Sequence, residues 1–429
     1  MRLGGRTQAA IEVLADIATR KRPTSESLKD WGLSHRFAGS GDRAAIGNLV
    51  YDVLRQRAST IWLMDSDKPR KLVLATLVRQ WGISIEEIAA SFDGDKFAPD
   101  PFSPAEAKRF SSRELKEAPA ETQADIPAWL VPSFEANFAD EWIGEAQALA
   151  SRPPLDVRVN TLKSNKAKVE KALSRFHPRP TAIASNGLRI AAGNGPSRLP
   201  NVQAEAAFQK GWFEIQDEGS QIVGELAFAR PGDQVLDYCA GAGGKSLALA
   251  ASMENRGQIH AFDVDRMRLK PIYDRLKRAG VRNVQVHAPE SDMTALESAM
   301  DKVLVDAPCT GSGTWRRRPD AKWRLSTETL ETRINEQEEV LNAAAPYVKH
   351  GGYLIYVTCS VLPEENENQV YSFCEDNSEF QLVSAGEVWQ ELYGFDKKQP
   401  WSSDMKTITL TPASTQSDGF FFAVMQRSR

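Results

Sequence analysis

One stretch constrains the fold more than any other. DQVLDY (233–238), a short apolar run, passes through the glycine-rich CAGAGGKS into the helix-like LALAASME. The same alternation recurs downstream: GQIHAFDVD reads as a second strand, RNVQVH as a third, KVLVDAP as a fourth and GGYLIYVTCS as a fifth. Helical patterns cover 326–345 and 364–376. Strands that alternate with helices need crossover connections, so they pair in parallel, with helices on both sheet faces. Residues 211–429 are therefore expected to form an α/β domain around a doubly wound, Rossmann-like sheet. Pro271, inside RMRLKPIYDRLKRAG, predicts a kink or a late helix start.

The preceding residues follow other periods. Ala10, Val13, Leu14 and Ile17 recur at helical spacing, as do Ile46, Leu49, Val50, Val53 and Leu54, and Asp42 is placed to cap the second helix. Strand-like runs are scarce before residue 155, which predicts an all-helical accessory domain over 1–150, with a Pro-, Ser- and Glu-rich linker or exposed loop near 99–127. Residues 151–210 then offer LDVRVNTL, a Lys-rich helical stretch (165–175), TAIA and GLRIAA, the pattern of a small α+β module.

The net charge of −4 conceals a strong asymmetry. Segment 151–210 holds 11 basic and 3 acidic residues, whereas 1–150 carries a net −3 and 211–429 a net −9. Local excess is a better guide to a polyanionic partner than the total. No apolar run reaches the ~18 residues of a membrane span, and the first residues lack the continuous apolar core of a signal peptide. Cys239, Cys309, Cys359 and Cys374 form no CxxC pair and the five histidines are scattered. That pattern predicts a reducing, cytoplasmic setting and no metal centre.

The chemistry of the last segment begins at its first turn. Glycines admit a close ligand and the following helix start offers free N–H groups. Asp263 ends the second strand, where a carboxylate can accept both ribose hydroxyls of an adenosine-containing cofactor. GAGGKS lacks the GxGxxG dinucleotide fingerprint, and Ala240 occupies the first glycine position of a phosphate loop. The acidic Asp237 opening the turn suits a cationic or amino-acid-bearing ligand. The pattern favours S-adenosylmethionine over a nucleotide phosphate. A ligand-free strand–helix turn is the plain alternative.

Cys309 follows the fourth strand in DAPC and Cys359 the fifth in TCS. Ligands of doubly wound sheets sit at the carboxyl ends of the strands, so the two thiols are expected to converge beside the cofactor. A methyl donor beside a thiol suggests pyrimidine C5 methylation. That carbon is too weak a nucleophile until a thiolate adds at C6. Asp306 is placed to contact the N3/N4 edge of the base. Cys374, in mid-helix without a motif, reads as an inert buried thiol.

These residues resemble a known family. FEIQDEGSQ (213–221), DYCAGAGGKS, DAPCTGSGTWRRRPDAKW (306–323), TCSVLPEENE (358–367) and DGFFFA (418–423) are similar to motifs of the Sun/RsmB family of RNA 5-methylcytosine methyltransferases. DRAAIGNLVYDVLRQR (42–57) resembles that family's NusB-like helical domain, and PPLDVRVNTLK (153–163) its RNA-binding module. The resemblance implies Cys359 as nucleophile, Cys309 in product release, Asp306 against the target base and 16S ribosomal RNA as substrate. It also implies that Cys239, Ala240, Gly241, Ala242, Gly243, Gly244, Lys245 and Asp263, with Asp306, hold S-adenosylmethionine. No obligate protein partner is inferred. The family loop usually reads AAPGGK; here Gly241 and Ala242 replace Ala and Pro, which loosens the turn. The family's GD after the third strand is also absent, leaving Glu290 or Asp292 for the adenine side.

The RNA side is carried by Arg316, Arg317, Arg318 and Lys322, interleaved with Trp315 and Trp323, and by Arg158 and Lys163 of the basic module. Cations and aromatics of this kind hold phosphates and stack on unpaired bases. Other readings are the same chemistry on tRNA, a non-catalytic RNA-binding assembly or antitermination factor, and, more remotely, a dinucleotide-dependent oxidoreductase.

Overall fold

The computed structural model describes residues 1–394 and 400–429. The chain forms two compact units. One comprises Met1–Pro153 with Ala192–Pro200 and Trp315–Leu325; the other comprises Pro154–Ala191, Asn201–Thr314 and Ser326–Arg429. Among the described residues no helix is long and apolar enough to cross a membrane.

The first unit is helical. It runs α1 (Leu3–Arg20), α2 (Thr24–Ser34), α3 (Ser40–Arg55), α4 (Arg57–Met64), α5 (Pro69–Arg79), α6 (Ile85–Phe92) and α7 (Pro104–Ser112), with shorter turns on to Trp142–Leu149. Ala10, Val13 and Leu14 of α1 pack with Ile46, Leu49, Val50 and Val53 of α3 in one core. Helical spacing puts those residues on single faces. Asp42 is not the cap of α3: the helix opens two residues earlier, behind Gly39, and Asp42 instead accepts from Arg6. The expected linker near 99–127 is also structured. Ser103 and Glu106 make a reciprocal capping box that starts α7, and Arg70 pairs with Glu106.

Segment Trp315–Leu325 completes this unit. Its short helix Pro319–Arg324 sits at the end of α3, where the last carbonyls have no partner within the helix. Trp323 Nε1 donates to the Leu54 carbonyl at 2.6 Å and Lys322 Nζ to the Arg55 carbonyl at 3.1 Å. Trp315 is fully buried and stacks on Phe134.

The second unit holds two sheets. The smaller one consists of β1 (Leu155–Val159), β2 (Arg179–Pro180), β3 (Gly187–Ile190) and β4 (Phe213–Ile215), in the order β2-β3-β1-β4 and antiparallel throughout. TAIA is not a strand: β2 ends at Pro180, and Ile183 and Ala184 spend their N–H groups on the Glu218 carboxylate instead.

The larger sheet contains β5 (Gln234–Asp237), β6 (Gln258–Phe262), β7 (Val284–His287), β8 (Met300–Asp306), β9 (Val348–Thr358), β10 (Phe380–Leu382), β11 (Thr407–Leu410) and β12 (Phe420–Arg427). The five expected strands pair in parallel, β9-β8-β5-β6-β7. The sheet as a whole is mixed, because β12 lies antiparallel against β9 and carries β10 and β11. Alternate residues of the central strands enter different cores. Leu304, Ile355, Phe422 and Val424 face one side, and Val303, Val305, Tyr356 and Phe421 the other. Burial on both faces is why these strands read as unbroken apolar runs. At Pro271 the helix breaks: Arg266–Leu269 ends and Ile272–Ala279 begins with the proline as its cap.

Candidate active site

The carboxyl ends of β5, β6, β8 and β9 meet at one edge of the large sheet. After β5 the chain turns through Gly241 and Gly243, both at positive φ, into the helix Gly244–Ser252. Gly243 is required twice over, because a Cβ there would also lie 2.5 Å from Ile272. Asp263, buried after β6, accepts the Gly241 N–H at 2.9 Å. The turn that lacks the family's proline has another tie: Arg275 donates to the Ala242 carbonyl at 2.7 Å while Glu214 of β4 holds the same guanidinium.

Asp237 is fully buried. It accepts from Ser246 Oγ at 2.6 Å, while its other oxygen has no hydrogen-bond partner among the described residues. Burial, with Asp306 nearby, pushes its carboxyl up to about 7 against the Ser246 hydrogen bond. Burial likewise pushes the Cys239 thiol far above its ordinary range. Lys245 is buried and donates to Ser220 Oγ at 3.0 Å and to Asp306 Oδ2 at 3.1 Å, with its ammonium 5.1 Å from the Phe420 ring centroid. Asp306 is the accessible end of that pair, its side chain 31% exposed against 5% for Lys245.

The two cysteine loops come together as expected. Cys309 Sγ and Cys359 Sγ lie 3.3 Å apart, both partly exposed. The hydrogen bond to Cys359, then burial, raises the Cys309 thiol well above its ordinary value. Either sulfur can serve as the donor of that contact. Gln337 donates to the Pro308 carbonyl, and Ser312 Oγ contacts Ser360 Oγ at 2.8 Å. Gly313 accepts from Gly419 N–H at 2.8 Å and donates to the Cys359 carbonyl at 3.0 Å. A Cβ on Gly313 would lie 2.3 Å from the Gly419 carbonyl oxygen, so both positions need glycine for close approach rather than for φ. Sequence reasoning did not single out Lys245 as an ion-pair partner, nor Ser220, Gln337 or Glu365. Only the quoted motifs QDEGSQ and PEENE pointed to two of these, without saying which side chains turn inward.

The expected RNA contacts divide. Lys322 is 1% exposed and donates to the α3 carbonyl; burial lowers its ammonium to about 8. Arg316 is buried, its carbonyl accepting from Arg55. Arg158 is buried in β1, donates to Gln216 at 2.7 Å and is lowered by desolvation to about 10. These three side chains are internal, which corrects their expected place on an RNA-facing surface. Burial is tolerated at Lys322 because the Arg55 carbonyl and the Trp323 ring receive its ammonium, and at Arg158 because the Gln216 amide oxygen does. Arg318 and Lys163 are exposed and Arg317 is half-buried; Lys163 donates to the Arg278 carbonyl at 2.7 Å. Glu290 and Asp292 are exposed and engaged by Arg266 and Thr294.

The family described as 16S rRNA methyltransferase RsmB/F matches residues 226–426, and the ferredoxin-like domain of RsmF/B-like methyltransferases matches 126–194. A probable ribosomal RNA small subunit methyltransferase B of Synechocystis sp. is 31% identical over 316 residues, 71% of this chain and 68% of that protein. The chain belongs to this family. A ribosomal RNA small subunit methyltransferase B of Cronobacter sakazakii is 33% identical over 306 residues, covering 69% of this chain and 65% of its own, slightly under two thirds. The crystal structure of a methyltransferase homologue from Pyrococcus horikoshii superposes with a TM-score of 0.59 at 28% identity, over 72% of this chain and 97% of that one.

S-adenosylmethionine is the cofactor of this methyltransferase fold, and the turn fits it. A Cβ on Gly244 would meet nothing within 4 Å, which leaves space beside the glycines. The unpartnered oxygen of Asp237 and the buried Asp263 supply acceptors for a cationic, ribose-bearing ligand.

Proposed function

We propose that the chain methylates C5 of a cytosine in small-subunit (16S) ribosomal RNA through a covalent adduct with Cys359. The observation that carries this reading is the 3.3 Å approach of two thiols, one of them three residues after the Asp306 that pairs with Lys245 of the glycine turn. Methylation at nitrogen or at a ribose hydroxyl has no use for such a pair.

In this reading Cys239, Ala240, Gly241, Ala242, Gly243, Gly244, Lys245 and Asp263 hold S-adenosylmethionine, with Asp306 at the boundary between cofactor and base. The cofactor supplies a sulfonium-bound methyl group. The Cys359 thiolate adds to C6, and the C5–C6 π electrons shift onto C5 in conjugation with N3, where Asp306 meets the N3/N4 edge. Once C5 carries the methyl group, a water molecule takes the C5 proton, the C–H electron pair re-forms the C5–C6 double bond, and the C6–sulfur pair leaves with Cys359 as its thiolate. Cys309, 3.3 Å from Cys359, assists that release. The target base must leave its stack to reach the thiol, and Arg317, Arg318 and Lys163 remain candidates for holding the flanking phosphates.

The test uses the full chain, a small-subunit RNA fragment and methyl-labelled S-adenosylmethionine. Cys359→Ser is expected to abolish transfer to cytosine while leaving cofactor binding intact. Cys309→Ala is expected to accumulate a protein–RNA adduct stable on a denaturing gel. Methylation of cytosine by Cys359→Ser at wild-type rate would sink the assignment.

A further inference from the structure

The TCSVLPEENE motif contains three carboxylates, and one of them lies between the two cysteine loops. Glu365, fully buried, accepts the Thr310 N–H at 2.7 Å and the Thr310 hydroxyl at 2.5 Å. It also accepts the Ser360 hydroxyl at 2.5 Å and Gln337 Nε2 at 3.1 Å. Thr310 is the residue after Cys309, and Ser360 the residue after Cys359. A single carboxylate therefore ties both cysteine loops one residue beyond each sulfur.

All four contacts come from donors, which is the arrangement an ionised carboxylate needs and a protonated one cannot fully use. Burial raises the carboxyl, and the hydrogen bonds from Ser360, Thr310 and Gln337 oppose it. The carboxylate is itself fixed. Tyr356, fully buried in β9, donates to the Glu365 carbonyl at 2.7 Å, and the Glu365 N–H donates to the Leu362 carbonyl. Gln337 reaches from the helix Thr327–Ala344 to both the Pro308 carbonyl and Glu365, joining the same two loops from behind.

We propose that Glu365 is a positioning residue that sets the separation and aim of the Cys309 and Cys359 sulfurs. The role rests on the cysteine-adduct reading for its catalytic consequence but not for its geometry. Without the carboxylate, four donors lose their common acceptor and the two loops are free to part. A displacement of about 1 Å at a reacting atom is enough to cost on the order of a hundredfold in rate.

The experiment reads the thiols directly. Wild type, Glu365→Gln, Thr310→Val and Ser360→Ala are treated with diamide without RNA. Formation of the Cys309–Cys359 bridge is then followed by intact mass and peptide mapping. Each thiol gives up its proton, the sulfurs bond, and two electrons and two protons reduce the diamide N=N bond to a hydrazine. Alkylation of Cys374, which lies outside the clamp, reports whether the fold is intact. Glu365→Gln is expected to slow bridging about tenfold, and the other two about threefold, with Cys374 alkylated at the wild-type rate. In methyl transfer, Glu365→Gln is expected to lower kcat about 10- to 100-fold, with KM for S-adenosylmethionine within about twofold of wild type.

Bridging at the wild-type rate in Glu365→Gln and in both hydroxyl variants overturns the proposal, whatever the enzyme methylates. Slowed bridging in a protein whose wild type leaves cytosine unmodified supports the positioning role and overturns the cytosine-C5 reading instead.

Discussion

At the scale of single residues, the site is defined by polar groups held where water cannot reach them. Asp237 is the clearest. Its carboxyl rises from 3.8 to about 7 because burial disfavours the charge more than Ser246 stabilises it. A raised folded value means the folded protein binds the proton more tightly than the unfolded chain. Its contribution to stability is complete below about pH 4 and is lost as pH rises toward 7. Asp237→Asn removes that dependence. Chemical denaturation at pH 5 and pH 8 is expected to show the variant gaining on wild type with pH. The gain is bounded by about 4 kcal/mol for a shift of this size. An equal pH slope in both proteins would mean that Asp237 is ionised throughout. The pair Lys245–Asp306 works in the opposite sense: the buried lysine keeps a charge partner at the surface end of the contact, where a base can reach it.

At the scale of elements, segment Trp315–Leu325 shows how a motif can mislead. TWRRRPDAKW has the composition of a nucleic-acid contact, yet Lys322 and Trp323 terminate α3 by donating to its last carbonyls. The sequence displays the cations but not the free carbonyls that claim them. Lys322→Ala is expected to destabilise the helical unit by about 2–3 kcal/mol, through a lost hydrogen bond and lost packing on Trp323. The slope of log K against log salt for RNA binding should not change. Arg318→Ala, at an exposed position, is expected to reduce that slope by about one while leaving the melting temperature in place. Thermal melts and a salt titration of both variants separate the two roles. A reduced slope in Lys322→Ala would return that residue to the RNA surface.

At the scale of the whole molecule, the large sheet depends on its last strand. Phe421, Phe422, Ala423, Val424 and Met425 are all fully buried, and β12 is the partner of β9, β10 and β11. Without it, β9 becomes an exposed edge beside the Cys359 loop, and Gly419 no longer packs on Gly313. A chain ending at residue 417 is expected to lose cooperative unfolding or to aggregate. A melt of that truncation matching the full chain would show that the five parallel strands suffice alone. The charge asymmetry belongs to this scale too. The basic excess at 151–210 is real, but part of it is spent internally, Arg158 on Gln216 and Arg189 on Asp156.

The sequence by itself determined the alternation of strands and helices, the glycine turn with its acidic partner Asp263, and the placement of two cysteines after neighbouring strands. Each is a local pattern: hydrophobic period, glycine at a turn, or a residue's offset from a strand end. Tertiary structure alone decided three other matters. It placed β12 antiparallel inside the sheet, because a buried strand has no period that reveals its direction. It assigned Lys322, Arg316 and Arg158 to the interior, because burial of a cation depends on what the fold packs around it, the Arg55 carbonyl at Lys322 and the Gln216 amide at Arg158 among them. It also turned Glu365 inward between the cysteine loops, because PEENE offers several carboxylates and only packing selects the one that four donors surround.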